Sequence, residues 1–155
     1  MRDRINTAMK DALKSGEKRR LSTLRLMIAA IKDRDIAARV DEKGRATGRD
    51  KIDDTEILAL LQKMIKQRRE AIETYRQAER EERVEEETSE IAVIEEFLPQ
   101  QMGEEETRGA VAGVVAELGA SGLKDMGRVM AALKERYTGQ MDFGKASAAA
   151  KDLLK

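Results

Sequence analysis

The chain has 155 residues, 41% of them hydrophobic and 39% charged, with 30 basic and 30 acidic side chains and only 3% aromatics. That length suits one medium domain or two small ones, with enough apolar material for a core beneath an unusually ionic surface. With no cysteine and no histidine, disulfides, thiolate zinc sites, Cys–His and Ser–His nucleophile systems and imidazole acid–base catalysis are excluded.

A single proline and a dominance of long-chain helix formers predict an all-α fold. The expected architecture is an N-terminal helical domain over residues 1–99 followed by a small C-terminal three-helix domain over 100–155. In the first, Ile5, Ala8, Met9, Ala12 and Leu13 follow the i, i+3, i+4, i+7, i+8 spacing of one helix face, and Ser15-Gly16 supplies its stop. A second helix is predicted from Glu17 to about Arg39, with Leu21, Leu24, Ile28 and Ile31 as its apolar stripe. The polar run from Asp41 to Lys51, which contains Gly44 and Gly48, reads as a mobile loop. Asp53 or Asp54 can cap the next helix, with Glu56 completing a capping box with Asp53. Ile57, Leu60, Leu61, Met64, Ile65, Ile72 and Tyr75 then carry the face of the longest helix.

After an acidic stretch, Thr88 or Ser89 is placed to cap a helix holding Ile91, Val93, Ile94, Phe97 and Leu98. It stops before Pro99, because proline disfavours helical geometry in the residue that precedes it, and Pro99 marks the expected domain boundary. Three shorter helices follow: Glu104–Leu118 burying Val111, Val114, Val115 and Leu118; about Asp125–Arg136 burying Met126, Val129, Met130 and Leu133; and Asp142–Leu154 burying Phe143, Ala146, Ala150, Leu153 and Leu154. Gly119 and Gly139 suit C-terminal caps, and Asp125 and Asp142 suit N-caps. Roughly 50 residues is near the lower limit for independent folding, so this domain is expected to lean on the first or on a partner.

The zero net charge hides a pattern. Residues 1–80 hold 21 basic against 14 acidic side chains, residues 81–106 hold one against 11, and residues 107–155 hold eight against five. The acidic segment either neutralises its basic neighbours or leaves their faces free for a polyanion. No apolar run approaches the roughly 20 residues of a membrane span, and Met1-Arg2-Asp3-Arg4 leads into amphipathic helix without a signal-peptide core. The expectation is a cytoplasmic protein without membrane contact.

The segment Asp125-Met126-Gly127-Arg128-Val129-Met130, then Leu133, Tyr137-Thr138-Gly139, Asp142, Ala146-Ser147 and Lys151-Asp152-Leu153-Leu154, resembles the tail domain of the tRNA-dependent amidotransferase B subunit. Upstream, Leu24-Arg25, Ala30-Ile31-Lys32, Lys66-Gln67-Arg68, Tyr75 and Phe97-Leu98-Pro99 are similar to the stand-alone YqeY proteins. The likeness to the YqeY family spans nearly the whole chain, with Ala131 as a departure where that family often has glycine. The resemblance implies a tRNA-binding accessory protein, because the B-subunit tail contacts the tRNA elbow. The cradle domain that activates misacylated tRNA with ATP has no counterpart here. The family carries a label of carbon–nitrogen ligase with glutamine as amido-N-donor, and the alternative expectation is a non-catalytic module docking on an aminoacyl-tRNA synthetase or amidotransferase subunit.

The residues themselves display no catalytic set. Ser15, Ser22, Ser89, Ser121 and Ser147 are scattered, and no Gly-rich phosphate loop follows a strand. No cofactor is expected. Capping and solvation account for Asp53-Asp54 and Glu85-Glu86-Glu87, so no metal site is assigned. Two features go beyond amphipathic helix. Arg68 falls within the apolar face of its helix, and Arg25 and Lys32 border the stripe of the second helix, which implies either an anion groove or a buried ion pair with Glu90, Glu95 or Glu96. The second is basic surface: Lys63, Lys66, Arg69 and Arg76 on the long helix, and Lys124, Arg128, Lys134, Lys145 and Lys151 in the tail. The tail group is the expected nucleic-acid-binding set, for phosphate contacts that position without reading sequence. Solubilising cations remain the other reading of each. With only Tyr75, Phe97, Tyr137 and Phe143 as aromatics, base stacking is scarcely available.

Overall fold

The computed structural model describes every residue from Met1 to Lys155 and is all-α, with seven α-helices and one short 3-10 turn. Contacts along the backbone gather into two compact units, Met1–Leu98 and Pro99–Lys155.

The first unit is built from α1 (Arg2–Ser15), α2 (Lys18–Ala37), α3 (Asp54–Gln77) and α4 (Glu81–Glu95). Gly16 joins the first two at φ 74°, and its N–H reaches the Ala12 carbonyl. Only a residue free of a Cβ takes that left-handed turn without strain. α3 opens with the capping box: the Glu56 N–H donates to Asp53 and the Asp53 N–H to Glu56. α3 packs chiefly on α4, and α2 packs on α1 and α4. Ile5, Leu24, Met27, Ile57, Leu61 and Ile94 are fully enclosed at the centre, each contributing roughly 1.5–3 kcal/mol through burial. Arg4 lies 5.6 Å from the centroid of the buried Phe97 ring and covers it.

α4 starts at Glu81, seven residues before the expected cap at Thr88, whose hydroxyl instead donates to the Val84 carbonyl within the helix at 2.7 Å. The chain reverses between α3 and α4 through Glu79 at φ 55°. No glycine or proline marks that turn, so composition does not announce it. Leu13 is 58% exposed, whereas Met27, outside the expected stripe, is buried in α2. The segment expected to be a mobile loop carries an organised turn. The Asp41 carboxylate accepts the N–H groups of Lys43 and Arg45 at 2.8 and 2.9 Å, Gly44 turns at φ 73°, and a single bridge pairs Val40 with Ala46.

The second unit comprises α5 (Glu104–Glu117), the 3-10 turn Leu123–Asp125, α6 (Met126–Tyr137) and α7 (Phe143–Leu154), each α-helix touching the other two. Val111, Val114, Val129, Leu133, Met141 and Ala146 form its enclosed centre. Asp142 caps α7 by accepting the N–H groups of Gly144 and Lys145 at 2.9 and 3.2 Å. Asp125 does not cap α6, in contrast to expectation: its backbone is already helical, and its carboxylate accepts the Ser121 N–H at 3.0 Å. Leu153 is 52% exposed rather than buried. Ahead of α5, Gln101 donates to the Gly139 carbonyl at 2.6 Å and the Met102 N–H to the Gln140 carbonyl at 2.8 Å.

One polar contact organises the first unit. Asp35, 8% exposed at the end of α2, accepts both terminal nitrogens of Arg2 at 2.8 and 2.5 Å. It also accepts the Ile52 N–H at 2.9 Å, and Arg2 donates to the Ile52 carbonyl at 2.9 Å. Arg2 first, and the Ile52 amide after it, hold the Asp35 carboxyl below the usual range. A carboxylate depressed in this way stabilises the fold above its ordinary pKa of about 4 and loses that contribution as pH falls through the depressed value. Asp35→Asn therefore lowers the unfolding free energy by about 2–3 kcal/mol at neutral pH. In urea unfolding the gap from the wild type closes as pH is taken below about 4. A gap that stays constant across that range contradicts the assignment.

Candidate nucleic-acid interface

Apart from the chain terminus, eleven of the twelve ion pairs in the protein use arginine, and the twelfth joins Lys155 to Asp152. A planar guanidinium matches a carboxylate with two parallel bonds, whereas an ammonium is a compact, strongly hydrated charge that gains little from a surface partner. The other lysines thus stand in solvent without a carboxylate partner.

This division bears on the expected binding residues. Over residues 118–155 there are seven basic against four acidic side chains. Two of those four acids are engaged by the backbone: Asp142 caps α7, and Asp125 holds the Ser121 amide. The Ser121 amide and the Arg128 charge lower the Asp125 pKa. Lys124, Lys134, Lys145 and Lys151 are exposed and unpaired, while Arg128 is exposed and meets Asp125 at 3.2 Å. The structure does not gather the five into one patch. Lys145 and Lys151 are six positions apart, as are Arg128 and Lys134, which places each pair about 120° apart around its helix. Lys124 lies on the 3-10 turn, Arg128 and Lys134 on α6, and Lys145 and Lys151 on α7. Arg136 is not among them: both of its terminal nitrogens are bound to Glu117, at 2.6 and 2.9 Å, tying α6 to α5. Ala131, the departure from the family pattern, is exposed on α6.

In the first unit, the acidic helix α4 neutralises cations on its neighbours. Arg68 donates to Glu90 at 2.7 Å and to the Met64 carbonyl at 3.2 Å, Arg69 meets Glu95 at 3.4 Å, and Arg20 meets Glu96 at 2.5 Å. At Arg68, whose side chain is 14% exposed, the inward charge is held by an ion pair. Arg25 and Lys32 do not join it. Both are exposed, because the buried face of α2 runs through Leu24, Met27, Ile31 and Asp35, roughly 100° away around the helix. Lys63, Lys66 and Arg76 are likewise exposed on α3.

Sequence reasoning passed over Asp35 and Arg2, which form the most enclosed charge pair. Glu87, expected to be a capping or solvated carboxylate, is instead partly enclosed, and its carboxyl is pushed up by burial and then by the neighbouring Glu90 charge. Asp35 follows Ile31 by four positions on the apolar stripe, the same signal that singled out Arg68. The α4 pair has a measurable consequence. Arg68→Met leaves Glu90 and Glu87 without their shared cation and costs about 1–2 kcal/mol, and Glu90→Leu in that background recovers most of it. A double-mutant cycle in urea with no coupling between the two positions contradicts this.

Comparison with known proteins places these residues in a family. The model described as "Yqey-like protein" matches residues 2–154. The uncharacterized protein C22F3.15 of Schizosaccharomyces pombe is 32% identical over 96 residues, which is 62% of this chain and 70% of that protein. No helix here is long and apolar enough to cross a membrane. With the match running from the first turn of α1 to the last turn of α7, the chain belongs to the YqeY family.

Proposed function

We propose that this protein is a tRNA-binding accessory protein, related in role to the tRNA-dependent amidotransferase, whose second unit grips the phosphate backbone through α6 and α7. The observation that carries the reading is the set Lys124, Lys134, Lys145 and Lys151: exposed, without carboxylate partners, and spread over the 3-10 turn, α6 and α7, where positive charge is in local excess. Ammonium groups in that state exchange condensed counterions on a polyanion for direct contact, and the released ions drive binding. A spread arrangement suits successive phosphates along folded RNA better than a single small anion. Arg128 adds to the set, since an exposed pair such as the one with Asp125 is worth at most about 1 kcal/mol and yields readily to a phosphate. The likeness of the 125–154 segment to the amidotransferase B-subunit tail supports the same partner. In this role the chain recognises tRNA by shape, and the amide-transfer chemistry is supplied by another protein.

The test is binding of total tRNA across a salt series by the wild type and by the variant with Lys124, Lys134, Lys145 and Lys151 changed to Glu. Four phosphate contacts give a slope of log K on log salt of roughly −3 to −4. The variant loses affinity at every salt concentration and its slope flattens, while Lys66→Glu on α3 changes little. Absence of binding at low salt, or equal loss with Lys66→Glu, contradicts the proposal.

A further inference from the structure

A trough runs between α2 and α3 on the first unit, where these two helices touch over a shorter stretch than either does with α4. It consists of two adjoining depressions of about 380 and 470 Å3. Its apolar lining comes chiefly from Leu26, Ala30 and Ala37 on α2 and from Ala59, Leu60 and Met64 on α3. Leu26 is 45% exposed although it lines the trough. From Leu26 to Ala37 the stripe advances by 11 positions, or about 16 Å at 1.5 Å per residue, which is three helical turns. Ala30 and Ala37 on α2 and Ala59 on α3 leave room for another helix to approach.

The charges say what kind of helix fits. Arg34 and Lys63 line both depressions and so face each other, from α2 and α3, across the middle of the trough. Neither has an ion pair. The other charged groups lining it are Arg49, held by Glu56; Arg68, held by Glu90; and Asp33, which has no ion pair and lies beside Arg34 on the same α2 face, between Ala30 and Ala37. The protein already contains one instance of this docking chemistry, since α4 lays an apolar stripe on α2 and α3 while Glu90, Glu95 and Glu96 meet arginines of those helices. With Arg49 and Arg68 held by carboxylates, only Arg34 and Lys63 are free here, too few to follow a phosphate backbone, which needs donors and cations along its length.

We infer that the α2–α3 trough is the docking site for an amphipathic helix of a partner protein, about three turns long. Its apolar side chains at i, i+4 and i+7 rest on Leu26, Ala30 and Leu60. A carboxylate near its centre lies between Arg34 and Lys63. The surface belongs to the first unit and is independent of the RNA-binding proposal for the second, so either can fail without the other.

The probe is a fluorescein-labelled 18-residue helical peptide with leucines at that spacing and a central Glu pair, followed by anisotropy against the full chain. Two controls share its composition or shape: a scrambled peptide, and one with Gln in place of Glu. Leu26→Glu weakens the Glu peptide by roughly tenfold or more, the scale of losing a central apolar anchor. The double change Arg34→Glu, Lys63→Glu weakens the Glu peptide by a similar factor and leaves the Gln peptide nearly unchanged. All three positions are exposed at the surface, so circular dichroism and melting temperature stay at wild-type values. The inference is overturned if the Glu peptide does not bind by about 1 mM, if the scrambled peptide binds as well, or if Leu26→Glu has no effect. It is overturned equally if the wild type self-associates through this face and Leu26→Glu makes it monomeric, or if the Arg34, Lys63 double change abolishes tRNA binding.

Discussion

The first unit depends on one enclosed carboxylate. Asp35 collects Arg2 from the start of α1 and Ile52 from the approach to α3, residues 33 and 17 positions away in sequence. The Arg2 bond to the Ile52 carbonyl closes the triangle over 50 positions. Long-range contacts of this kind fix where α3 begins relative to the end of α2. That placement also shapes the lower end of the α2–α3 trough, which is lined by Arg34, Ile52 and Glu56. An ion pair in a partly enclosed position adds little net stability compared with apolar packing. Its importance here is positional: without Asp35, the Ile52 amide and the Arg2 guanidinium both lose the acceptor that orients them, and each is costly to leave unmatched.

Charge is distributed by residue type as well as by position. Arginines form nearly every ion pair, and α4 engages those of α2 and α3 that would otherwise face its carboxylates. Each unit consequently balances its own charge, with 22 basic and 22 acidic side chains in Met1–Leu98 and eight of each in Pro99–Lys155. Net neutrality is no bar to RNA contact when the acids are engaged locally, and Asp125 and Asp142 are held by backbone amides while the lysines beside them point into solvent. Under the two proposals, the first unit offers a docking trough for a protein helix and the second an electrostatic surface for tRNA.

Much of the fold was legible because helix periodicity and caps are local properties. The Asp53–Glu56 capping box, the Gly16 turn and the Asp142 cap each follow from residues within four positions of one another. The start of α4 was not legible, because Glu79 adopts a left-handed conformation with no glycine to mark it and the acidic run reads as surface in any conformation. The Asp35 contacts were out of reach for a different reason: their partners are distant in sequence, and periodicity says that a charge faces inward but not what it meets. At the candidate interface, residue type identified the lysines. Only the structure separated them from arginines already engaged, and only the packing of α2 against α3 displayed a trough.

The most direct test of this account is lysine modification by reductive methylation, read residue by residue by mass spectrometry with and without tRNA at low salt. With tRNA bound, Lys124, Lys134, Lys145 and Lys151 are protected while Lys63 and Lys66 on α3 react as in the free protein. Protection centred on Lys63 and Lys66, or equal reactivity at every lysine with tRNA present, would contradict the account.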